Sequence, residues 1–249
     1  QHLYEPPSDG HTKIKWVAFI TIHASQYVPM SLKNPVIASL NLTAGLRRYC
    51  ATLGITFFLV ALAVAQVNFP LMRELALTRY GPDTARVVDE WQAQIETMRS
   101  LPDKDKLARA NNFFNSRIRW VQDPQAWGQD DYWATPLELI GRGMGDCEDF
   151  AIAKYLTLIL AGVHIDKLRI TYVKARTMDS GNVKSMAHMV LAYYPYPNAE
   201  PVILDNIFID VLPASQRSDL TPVYGFNSNG LWVGHATAPA TTKPGTKLS

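Results

Sequence analysis

The sequence predicts an α+β domain in which helices come first and an antiparallel sheet follows. As far as Gly162, apolar residues recur at helical spacing, and Pro or Thr start signals precede several of these stretches. Beyond Gly162 the pattern changes to β-branched and aromatic runs, which are typical of strands. The chain has 47% hydrophobic and 18% charged residues, a composition that excludes a wholly disordered or collagen-like protein.

Four helical segments are expected in the first part of the domain. The first follows Pro82, the second follows Pro102, and the third begins at a capping box that starts with Thr135. The fourth helix runs from Asp146 to Gly162 and is apolar around most of its circumference. Such a helix is expected in the middle of a domain, so we predict that the sheet packs on it.

Three strands are expected after the fourth helix, at 168–175, 187–194 and 201–209. If the loop between the second and third strands is the four residues 195–198, Tyr194 pairs with Ala199. The same register then places His188 directly opposite Asp205, close enough for the two side chains to interact.

The beginning of the chain is typical of an export segment. Arg47 and Arg48 precede a long uncharged run with a small-x-small exit, which predicts a secretory signal at 46–65. A retained membrane anchor is the alternative, since the run approaches the length of about 20 residues that a spanning helix needs. In either case we expect an exported protein. We interpret residues 1–45 as an over-long start without structure.

The rest of the chain is predicted to be one domain at 66–235 with a disordered tail at 236–249. The net charge of +2 is small, and no Lys/Arg run of the kind that binds nucleic acid is present. We therefore expect no nucleic-acid partner. Two cysteines, Cys50 and Cys147, exclude a disulfide-rich scaffold and a multi-cysteine zinc site. Removal of the signal would leave Cys147 as the only thiol.

Cys147 is a candidate nucleophile because it is expected to be the second residue of the buried fourth helix. At that position unpaired N–H groups and the helix dipole stabilise a thiolate, and the N–H of Cys147 can receive an oxyanion. The neighbouring carboxylates of Asp146, Glu148 and Asp149 act against the thiolate unless an imidazolium or a cation offsets them. The alternative is a small, buried and inert cysteine.

His188 and Asp205 interrupt apolar strands, where a polar side chain without a partner is costly. Taken singly, a histidine of this kind is usually a satisfied core residue, and an aspartate is usually at a turn or edge. The register match favours a different interpretation, in which Asp205 orients His188 and His188 serves the thiol of Cys147.

The acidic residues around the cysteine have two interpretations. Asp146, Glu148 and Asp149 complement the helix dipole without any ligand. They also form a dense cluster of oxygens, and Ca²⁺ takes six to eight oxygen ligands. A calcium site would need further groups, such as Asp130 or Asp131 or backbone carbonyls.

The stretch YWATPLELIGRGMGDCEDFAIAKYLTL resembles the bacterial transglutaminase-like cysteine peptidases, in particular the LapG type of periplasmic protease. The resemblance covers roughly Asp83 to Trp232, and its most specific element is GDCED followed by AIAKY. It implies a papain-like/transglutaminase-like fold and a catalytic triad of Cys147, His188 and Asp205.

The resemblance also implies Ca²⁺ as a cofactor, with Asp146, Glu148 and Asp149 as ligands, and a periplasmic location. Proteases of the LapG type cut large surface adhesins near an Ala-Ala pair close to the N-terminus, which controls biofilm release. An inner-membrane cyclic-di-GMP receptor of the LapD type is the implied inhibitory partner. A transglutaminase-type acyl transferase and a non-catalytic calcium-binding interaction module are the alternative functions.

Overall fold

The computed structural model describes residues 67–179 and 182–240. The predicted over-long start at 1–45 and the predicted signal at 46–65 lie outside the described residues. Within the described ranges, no helix is both long enough and apolar enough to cross a bilayer.

Six α-helices precede the main sheet in the described part of the chain. They are α1 (Phe69–Tyr80), α2 (Pro82–Met98), α3 (Asp103–Asn115), α4 (Asp123–Ala126), α5 (Pro136–Arg142) and α6 (Cys147–Leu160). Sequence predicted α2, α3, α5 and α6, and the capping box of Thr135 and Glu138 at the start of α5 is confirmed. Sequence did not predict α1 and α4, because α1 does not gather its apolar residues on one face and α4 is a single turn.

The sheet is antiparallel, with six strands in the order β6-β5-β4-β3-β7-β8. These are β3 (Leu168–Asp179), β4 (Asn182–Tyr193), β5 (Val202–Leu204), β6 (Leu212–Pro213), β7 (Leu220–Asn227) and β8 (Gly230–Val233). Two shorter strands before α6, β1 (Arg119–Trp120) and β2 (Met144–Gly145), form a separate parallel pair. The predicted α+β architecture is confirmed, with β6, β7 and β8 as additions to the predicted strands.

Helix α6 lies between two apolar cores, as its apolar circumference predicts. On one side, Phe150 and Ala153 belong to a core shared with α1, α2, α3 and α5. On the other side, Ile152 and Tyr155 belong to a core shared with the sheet. The indole N–H of Trp91 donates to the Thr157 hydroxyl at 2.9 Å and ties α2 to α6. Helix α6 is therefore held in place by the other helices on one side and by the sheet on the other.

The third predicted strand is shorter than expected and pairs in a different register. Strand β5 has three residues, and Leu191 of β4 pairs with Leu204. The predicted pairing of Tyr194 with Ala199 is wrong. The reason is that Tyr193 pairs with Val202, so the connection runs from 194 to 201, and within it the Ala199 N–H closes a turn on the Tyr196 carbonyl at 3.0 Å.

Part of the predicted tail at 236–249 falls within the described residues. The N–H of Ala240 donates to the Leu231 carbonyl at 2.7 Å. The Ala236 carbonyl accepts a hydrogen bond from Arg169 at 3.4 Å. Residues 241–249 lie outside the described residues.

Candidate active site

Cys147 is the first residue of α6, one position closer to the helix start than the sequence predicts, and Asp146 is the N-cap. As the first residue of the helix, Cys147 has an N–H group with no intrahelical acceptor. Gly145 precedes the cap in a tight space. A Cβ atom at Gly145 would overlap Asp149 Oδ2 and would lie 2.6 Å from Leu139 Cδ1, so a larger residue would displace the start of the helix.

The thiol of Cys147 contacts one carboxylate and one backbone N–H group. Its Sγ donates to Glu148 Oε2 at 3.0 Å, and it receives a hydrogen bond from the backbone N–H of Met189. Burial raises the pKa of the thiol well above its ordinary value, and the charges of Glu148 and Asp146 raise it further. The Met189 amide acts in the opposite direction. The protein's own groups therefore keep this thiol protonated.

His188 and Asp205 are in direct contact, as predicted. His188 Nε2 lies 2.8 Å from Asp205 Oδ1, and both residues are only 1% exposed. Asp205 follows the last residue of β5, so continuing the observed register places it opposite Val190. His188 is then its diagonal neighbour on the same face, at a distance that long side chains bridge. The predicted contact is thus confirmed although the predicted register is wrong.

The second ring nitrogen of His188 is the one that remains for the thiol. Nδ1 is buried and has no hydrogen-bond partner among the described residues. Met189, the next residue along β4, donates its N–H to Cys147 Sγ, so the peptide that joins His188 to Met189 lies beside the sulfur. Since Nε2 is engaged by Asp205, Nδ1 is the candidate proton acceptor from Cys147.

The side chain of Asp205 accepts hydrogen bonds on both oxygens. Besides His188, Oδ1 accepts the Ile207 N–H at 3.0 Å, and Oδ2 accepts Arg217 Nη2 at 2.7 Å. Burial acts to raise the pKa of Asp205, but the hydrogen bond and charge of His188, with the Ile207 N–H and Arg217, hold it well below its usual range. Asp205 is therefore a fixed, ionised carboxylate.

The backbone of Asp205 is anchored to the helical layer by two residues that the sequence analysis did not assign to the site. Its carbonyl accepts Asn115 Nδ2 of α3 at 2.8 Å and Lys154 Nζ of α6 at 3.0 Å. Lys154 is 1% exposed, and burial lowers its pKa to about 7. Lys154 lies seven residues after Cys147, on the same face of α6. The sequence signal that could have identified Lys154 is a lysine in a helix that is otherwise apolar around most of its circumference.

Five carboxylates crowd the start of α6. Asp123, Asp131 and Glu148 have oxygens within 4.8 Å of one another, as do Asp123, Asp146 and Asp149. Asp131 is one of the two loop acids that the sequence offered, and Asp130 belongs to none of these groups. Sequence reasoning missed Asp123, the first residue of α4, because it lies far from Cys147 along the chain.

Within the described ranges, no Lys, Arg or His side chain forms an ion pair with these five carboxylates, and the pKa values of Asp146 and Asp123 reflect this. Burial, followed by the charge of Glu148, raises the pKa of Asp146 to about 11. Burial also raises the pKa of Asp123 to about 7, with the charges of Glu148 and Asp131 acting in the same direction. Asp146 Oδ1 and Asp123 Oδ1 are buried and accept no hydrogen bond from the part of the chain that the structure describes. A divalent cation fits this oxygen set on charge and on donor chemistry.

Asp149 differs from Asp123 and Asp146 because both of its oxygens accept hydrogen bonds. Oδ1 accepts the Ala134 N–H at 2.7 Å, and Oδ2 accepts Trp127 Nε1 at 3.1 Å and the Asp146 N–H at 3.4 Å. The last of these contacts forms a capping box. Asp149 fastens the start of α6, and its assignment as a metal ligand stays a prediction.

Comparison with known families identifies the chain. The family model described as bacterial transglutaminase-like cysteine proteinase (BTLCP) matches residues 80–219, a range that contains Cys147, His188 and Asp205. The chain belongs to this family. It is a cysteine peptidase by family, and its helices and antiparallel sheet are the α+β papain-like fold that the resemblance implied.

Solved structures of LapG from Legionella pneumophila are similar to this chain. One is 44% identical and covers 66% of this chain and 87% of its own, with a TM-score of 0.58. A calcium-bound LapG is 42% identical and covers 70% of this chain and 91% of its own, with a TM-score of 0.59. An EGTA-treated LapG is 44% identical and covers 66% and 84%, with a TM-score of 0.58. The comparison with curated proteins found no match. The predicted resemblance to LapG-type proteases is confirmed.

Proposed function

We propose that this chain is a calcium-dependent endopeptidase of the periplasm with a Cys147–His188–Asp205 triad. Its substrate is a large surface adhesin that it cuts near the N-terminus, which controls biofilm release. Family membership supports the peptidase chemistry, and the similarity to LapG supports the substrate class. The observation that carries the proposal is the 2.8 Å contact between His188 Nε2 and Asp205 Oδ1, which leaves Nδ1 for the thiol.

The first half of the reaction forms a thioester. His188 Nδ1 takes the proton of Cys147, and the sulfur attacks the scissile carbonyl carbon. The N–H of Cys147 is the candidate donor to the oxyanion of the tetrahedral intermediate. His188 then donates its proton to the leaving amine as the C–N bond breaks. Asp205 stabilises the imidazolium and keeps the ring in place during both transfers.

The second half of the reaction releases the acyl group. His188 accepts a proton from water, and the resulting hydroxide attacks the thioester carbonyl. Collapse of the intermediate breaks the C–S bond, and the proton returns to Cys147. Water as the acceptor gives hydrolysis, whereas a primary amine as the acceptor would give the transglutaminase-type product.

Calcium is proposed to bind the acidic residues beside the thiol. Asp146, Glu148 and Asp149 are the ligands that the family resemblance implies, and Asp123 and Asp131 bring further oxygens to the same place. When bound, the cation would neutralise the carboxylates that oppose the thiolate, above all Glu148, which contacts Sγ at 3.0 Å. The calcium-bound LapG structure supports the choice of metal.

The proposed location and partner follow from the same relationship. The predicted export segment at 46–65 supports delivery to the periplasm. There an inner-membrane cyclic-di-GMP receptor of the LapD type would bind and inhibit the protease. Co-purification of the two full-length proteins, with and without the dinucleotide, tests this partner directly.

Cleavage by a cysteine variant tests the proposed chemistry. The probe is a recombinant N-terminal adhesin fragment with one Ala-Ala pair, incubated with the full chain and calcium. We expect Cys147→Ala to abolish cleavage with little change in melting temperature, and Cys50→Ala to cleave as the unmodified chain does. Retained cleavage by Cys147→Ala would exclude the assigned nucleophile. A stable amide adduct with an added amine, in place of hydrolysis, would favour the acyl-transferase alternative.

A further inference from the structure

A buried arginine contacts the far side of the proposed triad. Arg217 is 4% exposed, and its Nη2 donates to Asp205 Oδ2 at 2.7 Å, the oxygen that does not face His188. Its guanidinium also forms a fork on Asp219, with Nε to Oδ1 at 3.0 Å and Nη2 to Oδ2 at 2.8 Å. Outwards from the imidazole, the charges of Asp205, Arg217 and Asp219 therefore alternate in sign.

Three further contacts fix Arg217 and its partner Asp219 in the fold. The backbone N–H of Arg217 donates to the Ala214 carbonyl at 3.0 Å, at the end of a short 3₁₀ turn. The Asp219 carbonyl accepts the Arg176 N–H at 2.9 Å, which ties the fork to β3. The ring of Phe208 lies 5.0 Å from the guanidinium carbon. Arg217 is thus part of a fixed structure and not a surface side chain that happens to reach the site.

We infer that Arg217 is a positioning residue for the proposed reaction, which holds the Asp205 carboxylate so that Oδ1 faces His188. This inference rests on the proposed triad. An aspartate carboxylate rotates easily about its terminal torsion, and only a donor on each oxygen defines its plane. The Ile207 N–H fixes Oδ1, and Arg217 supplies the donor for Oδ2.

Asp219 has a distinct part in this arrangement. A lone arginine beside Asp205 would offset the negative charge that stabilises the imidazolium of His188. Because Asp219 neutralises the guanidinium through its own two hydrogen bonds, Asp205 keeps its charge for His188. Arg217 therefore orients Asp205 without competing for it.

A double-mutant cycle tests whether Arg217 acts through Asp205. Cleavage of the adhesin fragment is measured as kcat and KM for the full chain, Arg217→Gln, Asp205→Asn and the double variant, each normalised to folded protein. We expect Arg217→Gln to lower kcat by roughly tenfold to a hundredfold at unchanged KM, the scale of a misplaced catalytic group. In the Asp205→Asn background the same change should lower kcat by less than about twofold.

The conservative variant supplies a second measurement. Arg217→Lys keeps a positive charge and one donor for Asp205 but cannot form the fork on Asp219. We expect it to recover part of the kcat that Arg217→Gln loses. It also keeps the test informative if Arg217→Gln fails to fold. If the full chain, Arg217→Lys and Arg217→Gln all have the same kcat, the inference is overturned.

Arg169 is the matched control. It is 5% exposed and lies between the rings of Tyr194 and Trp232, with its guanidinium carbon 4.0 and 4.1 Å from their centres. It makes no described contact with His188 or Asp205. We expect Arg169→Gln to lower the melting temperature and leave kcat unchanged, which separates a loss of stability from a loss of positioning.

The possible failures are distinguishable. If the full chain and Cys147→Ala process the fragment equally, the proposed function fails and the cycle has no signal to measure. If the full chain cleaves and Cys147→Ala does not, but Arg217→Gln lowers kcat by the same factor with or without the Asp205 carboxylate, only the inference about Arg217 fails.

Discussion

Two groups of charged side chains flank Cys147, and they are built in opposite ways. The paired chain consists of His188, Asp205, Arg217 and Asp219, in which the Arg217 guanidinium contacts two carboxylates and the His188 ring contacts one of them. The acidic cluster consists of Asp123, Asp131, Asp146 and Glu148, in which neighbouring charges have the same sign. The carboxylates of the paired chain are balanced by a cationic side chain of the protein, whereas, among the described residues, those of the acidic cluster are not.

The difference shows that burial alone does not decide the state of a carboxylate. Burial acts to raise the pKa of both Asp205 and Asp146. Hydrogen bonds and cationic neighbours bring Asp205 well below its usual range, whereas the charge of Glu148 adds to the rise at Asp146. The acidic cluster is thus the half that responds to a cation from outside, and the paired chain is the half that sets geometry.

The largest expected effect comes from breaking the paired chain. Asp205→Asn removes the charge between His188 and Arg217 and leaves the guanidinium with a weaker buried partner. We expect cleavage to fall by up to about 10⁴-fold, the scale of the corresponding change in a serine triad. The free energy of unfolding should fall by about 3–5 kcal/mol, as for other broken buried pairs. Denaturant titration and kcat of the folded variant measure the two effects.

An exposed His–Asp pair on the same protein is the control for that change. His164 Nδ1 lies 3.4 Å from Asp166 Oδ2, with side chains 69% and 62% exposed. Solvent screens this pair, so Asp166→Asn should change the unfolding free energy by less than about 1 kcal/mol and leave cleavage intact. If Asp166→Asn and Asp205→Asn lose the same unfolding free energy and the same cleavage activity, the buried contacts of the paired chain contribute no more than an exposed pair.

Removal of calcium is the next largest expected effect, and it acts on the other half. Excess EGTA should reduce cleavage by roughly a hundredfold or more, since Glu148 and Asp146 then keep the Cys147 thiol protonated. Added Ca²⁺ should restore activity and raise the melting temperature through binding to the folded state. The assay is cleavage of the adhesin fragment in EGTA, before and after Ca²⁺ is added back.

The comparison of the two halves predicts which variants still respond to calcium. Asp205→Asn should keep the rise in melting temperature that calcium causes, because the acidic cluster is intact. Asp146→Asn should lose most of that rise while keeping a good N-cap, since Asn and Asp cap helices about equally well. Unchanged cleavage in excess EGTA would remove calcium from the proposed function.

The sequence alone predicted the identity of His188 and Asp205 better than the strand register that brings them together. His188 and Asp205 interrupt apolar runs, and that local signal identified both. The register did not follow from the sequence, because it depends on the connection between β4 and β5, which runs from 194 to 201 and is longer than the expected four residues. The contact survived the error since a two-residue shift keeps the side chains on the same face of the sheet.

The residues that sequence reasoning missed are those that the fold brings in from a distance. Asp123 reaches the cluster because its Oδ2 accepts the Tyr132 N–H at 2.6 Å, which closes the loop around the acids. Arg217 follows a short turn that has no pattern of its own. Neither differs in the sequence from an ordinary surface charge, so only tertiary structure assigns them.

The smallest expected effect is a pH dependence of stability that belongs to the acidic cluster and to Asp149, whose pKa burial raises to about 8. Burial and like charges raise the pKa of Asp123 to about 7, against an unfolded value near 4. Between these values the folded state binds more protons than the unfolded state, so stability falls as pH rises through that window. Asp205 and Asp219, whose pKa values are lowered, lose their contribution only below about pH 4. Lys154, with a pKa of about 7, responds above the window.

Thermal melting in EGTA from about pH 4.5 to pH 7 therefore isolates the cluster. We expect the melting temperature to fall by a few degrees across this range, since about 1 kcal/mol corresponds to roughly 2–4 °C for a chain of this size. Asp123→Asn should reduce the slope and raise the melting temperature near pH 7. The rest of the slope comes from Asp131, Asp146 and Asp149, whose pKa values are also raised. Asp166→Asn should leave both the slope and the melting temperature unchanged. Saturating calcium should also flatten the slope, because the bound cation takes the place of the protons. A slope in Asp123→Asn as steep as that of the full chain would mean that burial and like charges do not act on Asp123 as its arrangement predicts, and the contrast between the two halves would fail at its acidic end.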